Sequence, residues 1–182
     1  MRDLSLHLLD LIENSLRASA SVISVGLTLS FTKDLLTLRI EDNGPGFSAP
    51  PDVILNPFYT TKDAKRTGLG LSLLQSAARQ AGGDLVIGTS SLGGARVEAR
   101  MQLSHLDRSP LGDLAATFGT VACANPQVDL QLCLSSETDQ WRLSRRQLAE
   151  GLPEGRRSDV AVARKFSELI TAELPRVWPG AA

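Results

Sequence analysis

A carboxylate followed by two glycines is the first pattern in the sequence that suggests chemistry. Residues 36–41 alternate apolar and polar side chains as a strand does, so Asp42 falls on the apolar face, where an unpaired carboxylate is costly. Gly44 and Gly46 follow, and glycine permits positive φ and lets a ligand lie against bare backbone. This arrangement suits a flat ligand that offers a hydrogen-bond donor, although Asp-Asn-Gly is also favourable turn chemistry.

A second polar group is expected on an N-terminal helix over residues 4–20. Its apolar face carries the side chains at helical spacing, which are Leu4, Leu8, Leu11, Ile12, Ser15 and Leu16. The opposite stripe carries His7, Asp10, Asn14 and Arg17, and Asp10 and Asn14 are neighbours because they are four residues apart. An amide oxygen suits Mg²⁺, which is usually held by few protein ligands plus phosphates and water. A carboxylate one turn earlier could orient or deprotonate an attacking water.

A polar, basic stretch over residues 57–67 leads into the start of another helix, which contains two glycines. The side chains of interest in the stretch are Thr60, Thr61, Lys62 and Arg66, and the helix start reads Gly68, Leu69, Gly70 and Leu71. Backbone N–H groups at the positive end of a helix dipole form a ready phosphate site. Asp42 could accept the exocyclic amine that adenine carries and guanine lacks at that position.

These stretches resemble the motifs of a known ATPase superfamily. Residues 10–20 look like the asparagine box of the ATPases shared by DNA gyrase B, heat-shock chaperones, histidine kinases and MutL, and residues 42–47 resemble their first glycine box. Residues 57–62 and 67–71 are similar to the short lid and second glycine box of histidine kinases. The resemblance covers residues 1 to about 104 and implies the Bergerat ATP-binding fold.

The resemblance also implies a set of site residues. Asp10 is the implied catalytic residue, Asn14 the ligand of Mg²⁺ and Asp42 the partner of adenine. The nucleotide-binding set as a whole is Asn14, Arg17, Asp42, Gly44, Gly46, Thr60, Thr61, Lys62, Arg66, Gly68, Leu69, Gly70 and Leu71.

Three features depart from the family pattern. The hydrolytic members usually have Glu where Asp10 stands, so hydrolysis is expected to be slow or absent. The last glycine box normally ends in Gly-Thr, whereas Gly94-Ala95 lacks the hydroxyl. Only nine residues precede Asp10, so we expect no phosphoacceptor domain, and we expect His7 to be structural or to line the site.

The order of elements predicts an α+β fold. We expect a two-layer α/β sandwich of the Bergerat type, with a mixed sheet and helices on one face, over residues 1–104. Residues 105–182 are expected to form a small α+β accessory unit of unknown role. Its first helix is predicted to begin at Pro110 with Ser109 as cap, and its last to run from Ser158 to about Leu174.

Composition excludes several classes of function. The net charge of −1 gives no global field that would attract nucleic acid or anionic lipid. No apolar run approaches the roughly 20 residues that cross a bilayer, and Cys123 and Cys133 are expected to be reduced thiols, which favours the cytoplasm. The expected partners are ATP or ADP and an unidentified regulatory protein, with a second copy of the chain as a further candidate and without nucleic acid or membrane.

Three hypotheses remain open at this point. The first is an ATPase that acts as a nucleotide-gated regulator and uses Asp10 as base. The second is a kinase that acts in trans on a serine, threonine or histidine of a partner, as anti-sigma kinases with a similar short lid do. The third is a binding module that keeps the pocket without turnover, which the Asp10 and Ala95 departures permit.

Overall fold

The computed structural model describes residues 3–55, 69–156 and 158–180. Three pairs of consecutive strands are separated by helices, and the last element is a long helix. The elements are α1 Leu4–Arg17, β1 Val22–Ser30, β2 Leu35–Asp42, α2 Pro51–Ile54, α3 Leu69–Gln80, β3 Asp84–Thr89, β4 Ala95–Gln102, α4 Leu114–Ala124, β5 Asp129–Ser135, β6 Gln140–Ser144, α5 Arg145–Gly151 and α6 Asp159–Val177, with a 3-10 turn at Glu154–Arg156.

The strands form a single mixed sheet with the order β3-β4-β2-β1-β5-β6. Four of the strand pairs are antiparallel, and only β1 and β5 run parallel among the described residues. Val25 of β1 pairs with Ile40 of β2 on one side and with Leu132 of β5 on the other. The predicted α+β class and the mixed sheet are therefore confirmed. The division of the chain at residues 104 and 105 stays a prediction.

One face of the sheet is apolar and covered, and the other is polar and open. In β1 the side chains of Ile23, Val25 and Leu27 are buried against the helices. On the opposite face Arg39 and Arg100 hold the buried carboxylate of Glu98, with Nη2 of each arginine 2.7 Å from a carboxylate oxygen. A sheet with one wet face shows this alternation because successive side chains point to opposite sides. The helices thus share one face, as the sequence predicts.

The chain after β4 is fastened to the start of α1. The backbone N–H groups of Leu4 and Ser5 donate to the carbonyls of Pro110 and Leu111, at 2.9 Å each. Gly112 has a φ of +76°, and a Cβ there would lie 2.5 Å from Asp3 Cγ. This segment is therefore shaped to close over the first turn of α1, whose orphan donors it satisfies.

The predicted start of α4 at Pro110, with Ser109 as cap, is wrong. The helix begins at Leu114, and the Asp113 side chain caps it by accepting from the N–H of Ala116 at 2.8 Å. The left-handed backbone at Gly112 interrupts any helix that would start earlier.

Two other boundaries differ by a few residues. The first helix ends at Arg17 and not at Ala20, because Ser19 takes a left-handed φ of 60°. The last helix continues past Leu174 to Val177, and Trp178, 5% exposed, follows it into the core.

A bilayer-spanning helix is absent from the described ranges, since none of their helices is both long and apolar enough.

Candidate functional site

The carboxylate of Asp42 is a buried polar group with three hydrogen-bond donors at the predicted site. It is 4% exposed and ends β2 on the covered face of the sheet. Oδ2 accepts the Ser15 hydroxyl at 2.6 Å, and Oδ1 accepts the N–H groups of Gly44 at 2.9 Å and Ala95 at 3.0 Å. Three donors from three parts of the chain therefore fix the orientation of this buried carboxylate.

Two glycine segments meet around Asp42. The N–H of Gly94 donates to the Asp42 carbonyl at 3.0 Å. A Cβ at Gly94 would lie 2.6 Å from both that carbonyl oxygen and the Gly44 nitrogen, which leaves no room for a side chain. Gly46 has a φ of +77°, and a Cβ there would lie 3.5 Å from the Gly94 carbonyl oxygen. Bare backbone from the first and last glycine boxes is thus brought together.

A cleft of about 270 Å³ opens beside these glycines. Gly46 and Gly94 are among the residues that line it, and Phe47 and Ile87 supply apolar side chains. A flat aromatic group suits such a lining, because apolar walls with few fixed polar groups are usual for small-molecule sites.

Asn14 lies one residue before the serine that contacts Asp42. Its Oδ1 accepts a hydrogen bond from Arg17 Nη2 at 2.8 Å, and Arg17 also lies 3.7 Å from Glu13. An amide oxygen has two lone pairs, so one remains for a cation. The described residues contain no group of three or more His, Cys, Asp or Glu side chains arranged for a metal. This donor set fits a Mg²⁺ ion held mainly by phosphate and water, with a single protein amide.

Asp10 lies against the first turn of α3. A Cβ at Gly70 would be 3.3 Å from Asp10 Oδ2, so the carboxylate reaches the end of α3 where backbone N–H groups are free of helical partners. Leu71 packs against the core, and the backbone of Leu69 begins the helix. Asp10 and Gly70 therefore lie within contact distance of each other.

His7 is buried, with 3% exposure. Its Nδ1 has no hydrogen-bond partner in the part of the chain that the structure describes. Burial lowers the pKa of His7, the charge of the amino terminus lowers it further, and Asp10 and Asp3 raise it. The net lowering favours the neutral imidazole near neutral pH.

Five predicted residues lie outside the described ranges. These are Thr60, Thr61, Lys62, Arg66 and Gly68. Helix α1 links the other predicted positions, since Ser15 contacts Asp42 at the end of β2 and Asp10 lies against Gly70 at the start of α3.

Sequence reasoning missed the contribution of Ser15. Its place among leucines at helical spacing made it count as part of the apolar face, yet its hydroxyl bonds Asp42. The available signal was a hydroxyl on a buried stripe, since a buried polar group needs a partner. The missing hydroxyl at Ala95 was noted, whereas the backbone N–H that this residue donates was not.

Sequence comparison defines the class of protein. The family model described as "Histidine kinase-, DNA gyrase B-, and HSP90-like ATPase" matches residues 2–105, more than half of the chain. The protein belongs to this family, and the predicted resemblance is confirmed. The chain accordingly contains a histidine kinase-like ATP-binding domain, and the family match spans residues 2–105.

Individual relatives cover a shorter part of the chain. The sensor histidine kinase CpxA of Escherichia coli K12 is similar to this chain, with 38% identity over 95 residues that make up 48% of this chain and 20% of CpxA. The C4-dicarboxylate transport sensor protein DctB of Pseudomonas aeruginosa is 43% identical over 70 residues, 36% of this chain and 11% of DctB. The chain thus spans a fifth or less of the length of these two curated relatives.

A solved structure extends the likeness in fold. The ATPase domain of MutL from Aquifex aeolicus, complexed with ADP, has a TM-score of 0.51 and 20% identity to this chain, and the match covers 91% of this chain and 70% of that one. At this identity the likeness concerns the fold.

Proposed function

We propose that this protein is a cytoplasmic, nucleotide-gated regulator that binds Mg-ATP and changes the affinity of its surface for a protein partner. The observation that carries the proposal is the buried Asp42 carboxylate, which is held by three donors. One of them, Ser15, directly follows Asn14 in α1. Family membership supports ATP as the nucleotide.

Different residues would bind the base, the metal ion and the phosphates of the nucleotide. Asp42 would accept the adenine amine at Oδ2, and Asn14 would hold the Mg²⁺ ion that neutralises phosphate charge. Arg17, whose Nη2 lies 2.8 Å from Asn14 Oδ1, would contact a phosphate. The start of α3 at Gly70 would place backbone donors and the helix dipole near the phosphates.

The gating part of the proposal is supported by the attachment of α1. This helix carries Asp10 and Asn14, and its first turn is hydrogen-bonded to Pro110 and Leu111. The same segment runs directly into α4, which packs on α6. A shift of α1 on nucleotide binding would therefore be transmitted to the C-terminal helices, provided that the nucleotide binds the two positions of α1 with different affinity.

Calorimetry tests nucleotide binding directly. We expect ATP to produce binding heat with Mg²⁺, and we expect Asp42→Ala to abolish it. Asp52→Ala, at an exposed acid of α2, is the matched control and should bind as the unchanged protein does. Absence of heat with the folded, unchanged protein would overturn the proposal. A pulldown with Mg-ATP against Mg-ADP then tests whether a partner depends on the nucleotide.

Phosphoryl transfer to a protein is the second candidate, and the similarity to sensor histidine kinases favours it. Incubation with γ-labelled ATP and a lysate of the source organism separates the outcomes. Labelled protein supports transfer, free phosphate supports hydrolysis, and binding without either supports a module that keeps the nucleotide unchanged.

A further inference from the structure

We propose that Ser15 is a positioning residue that makes the nucleotide site prefer adenine over bases that have a carbonyl oxygen where adenine has its exocyclic amine. The hydroxyl would act through Asp42, by fixing which acceptor position of the carboxylate faces the base. This inference rests on the proposed nucleotide site and adds a residue to it.

The contact between the two residues is short and buried. Ser15 is 5% exposed and Asp42 is 4% exposed, and Oγ lies 2.6 Å from Oδ2. A hydroxyl that donates to a carboxylate at this distance forms a charge-assisted hydrogen bond. The serine is carried by α1 and the aspartate by β2, so the bond also fixes the helix relative to the strand end.

Counting acceptor positions shows what remains for a ligand. Each carboxylate oxygen can accept about two hydrogen bonds. Among the described residues, Oδ1 accepts from Gly44 and Ala95, while Oδ2 accepts from Ser15 alone. One position on Oδ2 is therefore left, beside the Ser15 hydroxyl.

An exocyclic amine fits this position, and a carbonyl oxygen does not. The amine donates to Oδ2 while Ser15 keeps its bond. A carbonyl oxygen would face a carboxylate oxygen with no hydrogen between them, unless the Ser15 hydroxyl turned away from Asp42. Turning would leave Oδ2 buried with one donor fewer, and an enzyme site rejects a ligand strongly when its buried polar groups lose their partners.

Packing does not account for a serine at this position. Its neighbours on the buried face of α1 are Leu8, Leu11 and Ile12, and alanine would fill nearly the same volume without a polar group to satisfy. Ser15 is also the only side-chain donor to Asp42 in the described part of the chain. Ala95 donates only its backbone N–H to this carboxylate.

A cycle of variants and nucleotides tests the role. The ligands are ATP, inosine triphosphate and purine riboside triphosphate, which lacks the amine, each with Mg²⁺ in competition binding to the full chain. We expect Ser15→Ala to weaken ATP about tenfold, the effect of losing one hydrogen bond of roughly average strength. We expect purine riboside triphosphate to be unaffected within about twofold. Inosine triphosphate should not weaken either, because its carbonyl oxygen no longer forces a hydroxyl away from Asp42, so the preference for ATP over inosine triphosphate falls.

Two further variants control the result. Ser15→Cys keeps the shape and replaces the hydroxyl with a weak donor, so it should lose most of the preference even if Ser15→Ala folds poorly. Ser5→Ala removes another buried serine of α1, whose hydroxyl bonds Asp3 at 2.7 Å, and should leave the base preference unchanged.

The outcomes separate this inference from the proposed function. Equal weakening of ATP and purine riboside triphosphate in both Ser15 variants, or unchanged preference in both, would overturn the role of Ser15 while nucleotide binding stands. Failure of the unchanged protein to bind any of the three nucleotides would overturn both.

Discussion

The backbone N–H of Thr32, in the turn after β1, donates to Oε1 of Glu137, in the turn after β5, at 3.0 Å. Ser30 Oγ and Thr32 Oγ1 donate to the same oxygen at 2.8 Å and 3.0 Å. These bonds lie at the end of the sheet opposite Asp42, since Asp42 pairs with the first residues of β1. One carboxylate therefore ties the two hairpin turns together.

Acid should weaken this link in a defined pH range. The Thr32 backbone hydrogen bond is the main cause that lowers the pKa of Glu137 from 4.5 to about 2. Because the folded pKa is below the unfolded one, the stabilisation is complete above pH 4.5 and is lost as the pH falls towards 2. We expect Glu137→Gln to lower the free energy of unfolding at pH 7, and the difference from the unchanged protein to shrink below pH 4.5.

Urea unfolding at pH 7, 4 and 3 measures this difference. Glu154→Gln, at an exposed glutamate of the 3-10 turn, serves as control and should be neutral. A difference for Glu137→Gln that stays constant across the pH series would contradict the assignment.

Gly94→Ala should damage the site through backbone crowding. The added Cβ would lie 2.6 Å from the Asp42 carbonyl oxygen and from the Gly44 nitrogen, so one of the two glycine segments has to move. We expect a loss of about 1–3 kcal/mol in the free energy of unfolding, together with loss of ATP binding. Thermal unfolding and calorimetry measure the two effects. Gly26→Ala, where the Cβ would meet only Arg39 Cβ at 3.9 Å, should fold and bind normally.

Asp10→Asn should separate turnover from binding. The carboxylate lies beside Gly70, at the start of α3, and not at the base end of the site. We expect release of phosphate from ATP to fall by about 10²–10⁴ if Asp10 acts as general base, with ATP affinity nearly unchanged. Glu13→Gln, three residues further along α1 and exposed, controls for the loss of a negative charge. Equal phosphate release by the Asp10 variant and the unchanged protein would rule out this role.

The effect of Mg²⁺ on ATP affinity should require the Asn14 side chain. With the unchanged protein, removal of Mg²⁺ by a chelator is expected to weaken ATP binding, because the amide oxygen and the phosphates share the ion. In Asn14→Ala the affinities measured with and without Mg²⁺ should converge. Asn125→Ala, at the C-terminal cap of α4, should keep the full dependence. A metal dependence that survives in Asn14→Ala would assign the ion to other ligands.

Local patterns in the sequence were sufficient to predict most of the elements. Alternation over residues 36–41 predicted a strand and placed Asp42 on its apolar face, which is the buried face of β2. Helical spacing predicted α1, and the start predicted for the last helix at Ser158 agrees with the structure, where Ser158 caps α6 and accepts from the backbone N–H of Ala161. Each of these features depends on residues close together in the chain.

Features that depend on distant residues could not be predicted in the same way. The start of α4 is set by α1, since the carbonyls of Pro110 and Leu111 are used by the N–H groups of Leu4 and Ser5. The bond from Ser15 to Asp42 joins positions 27 residues apart. Both contacts require the tertiary arrangement that they help to stabilise. The local sequence marks Ser15 only as a hydroxyl on a buried stripe, and it does not identify Asp42 as the partner.

The parallel pairing of β1 with β5 has a practical consequence for work on isolated fragments. Residues 22–28 of β1 receive their second neighbour from β5, which comes late in the chain. A fragment that stops after residue 104 would leave this edge of the sheet bare, with unpaired N–H and C=O groups next to an uncovered apolar surface. Such an edge readily recruits strands of other molecules, so the shortened protein would be expected to self-associate during purification.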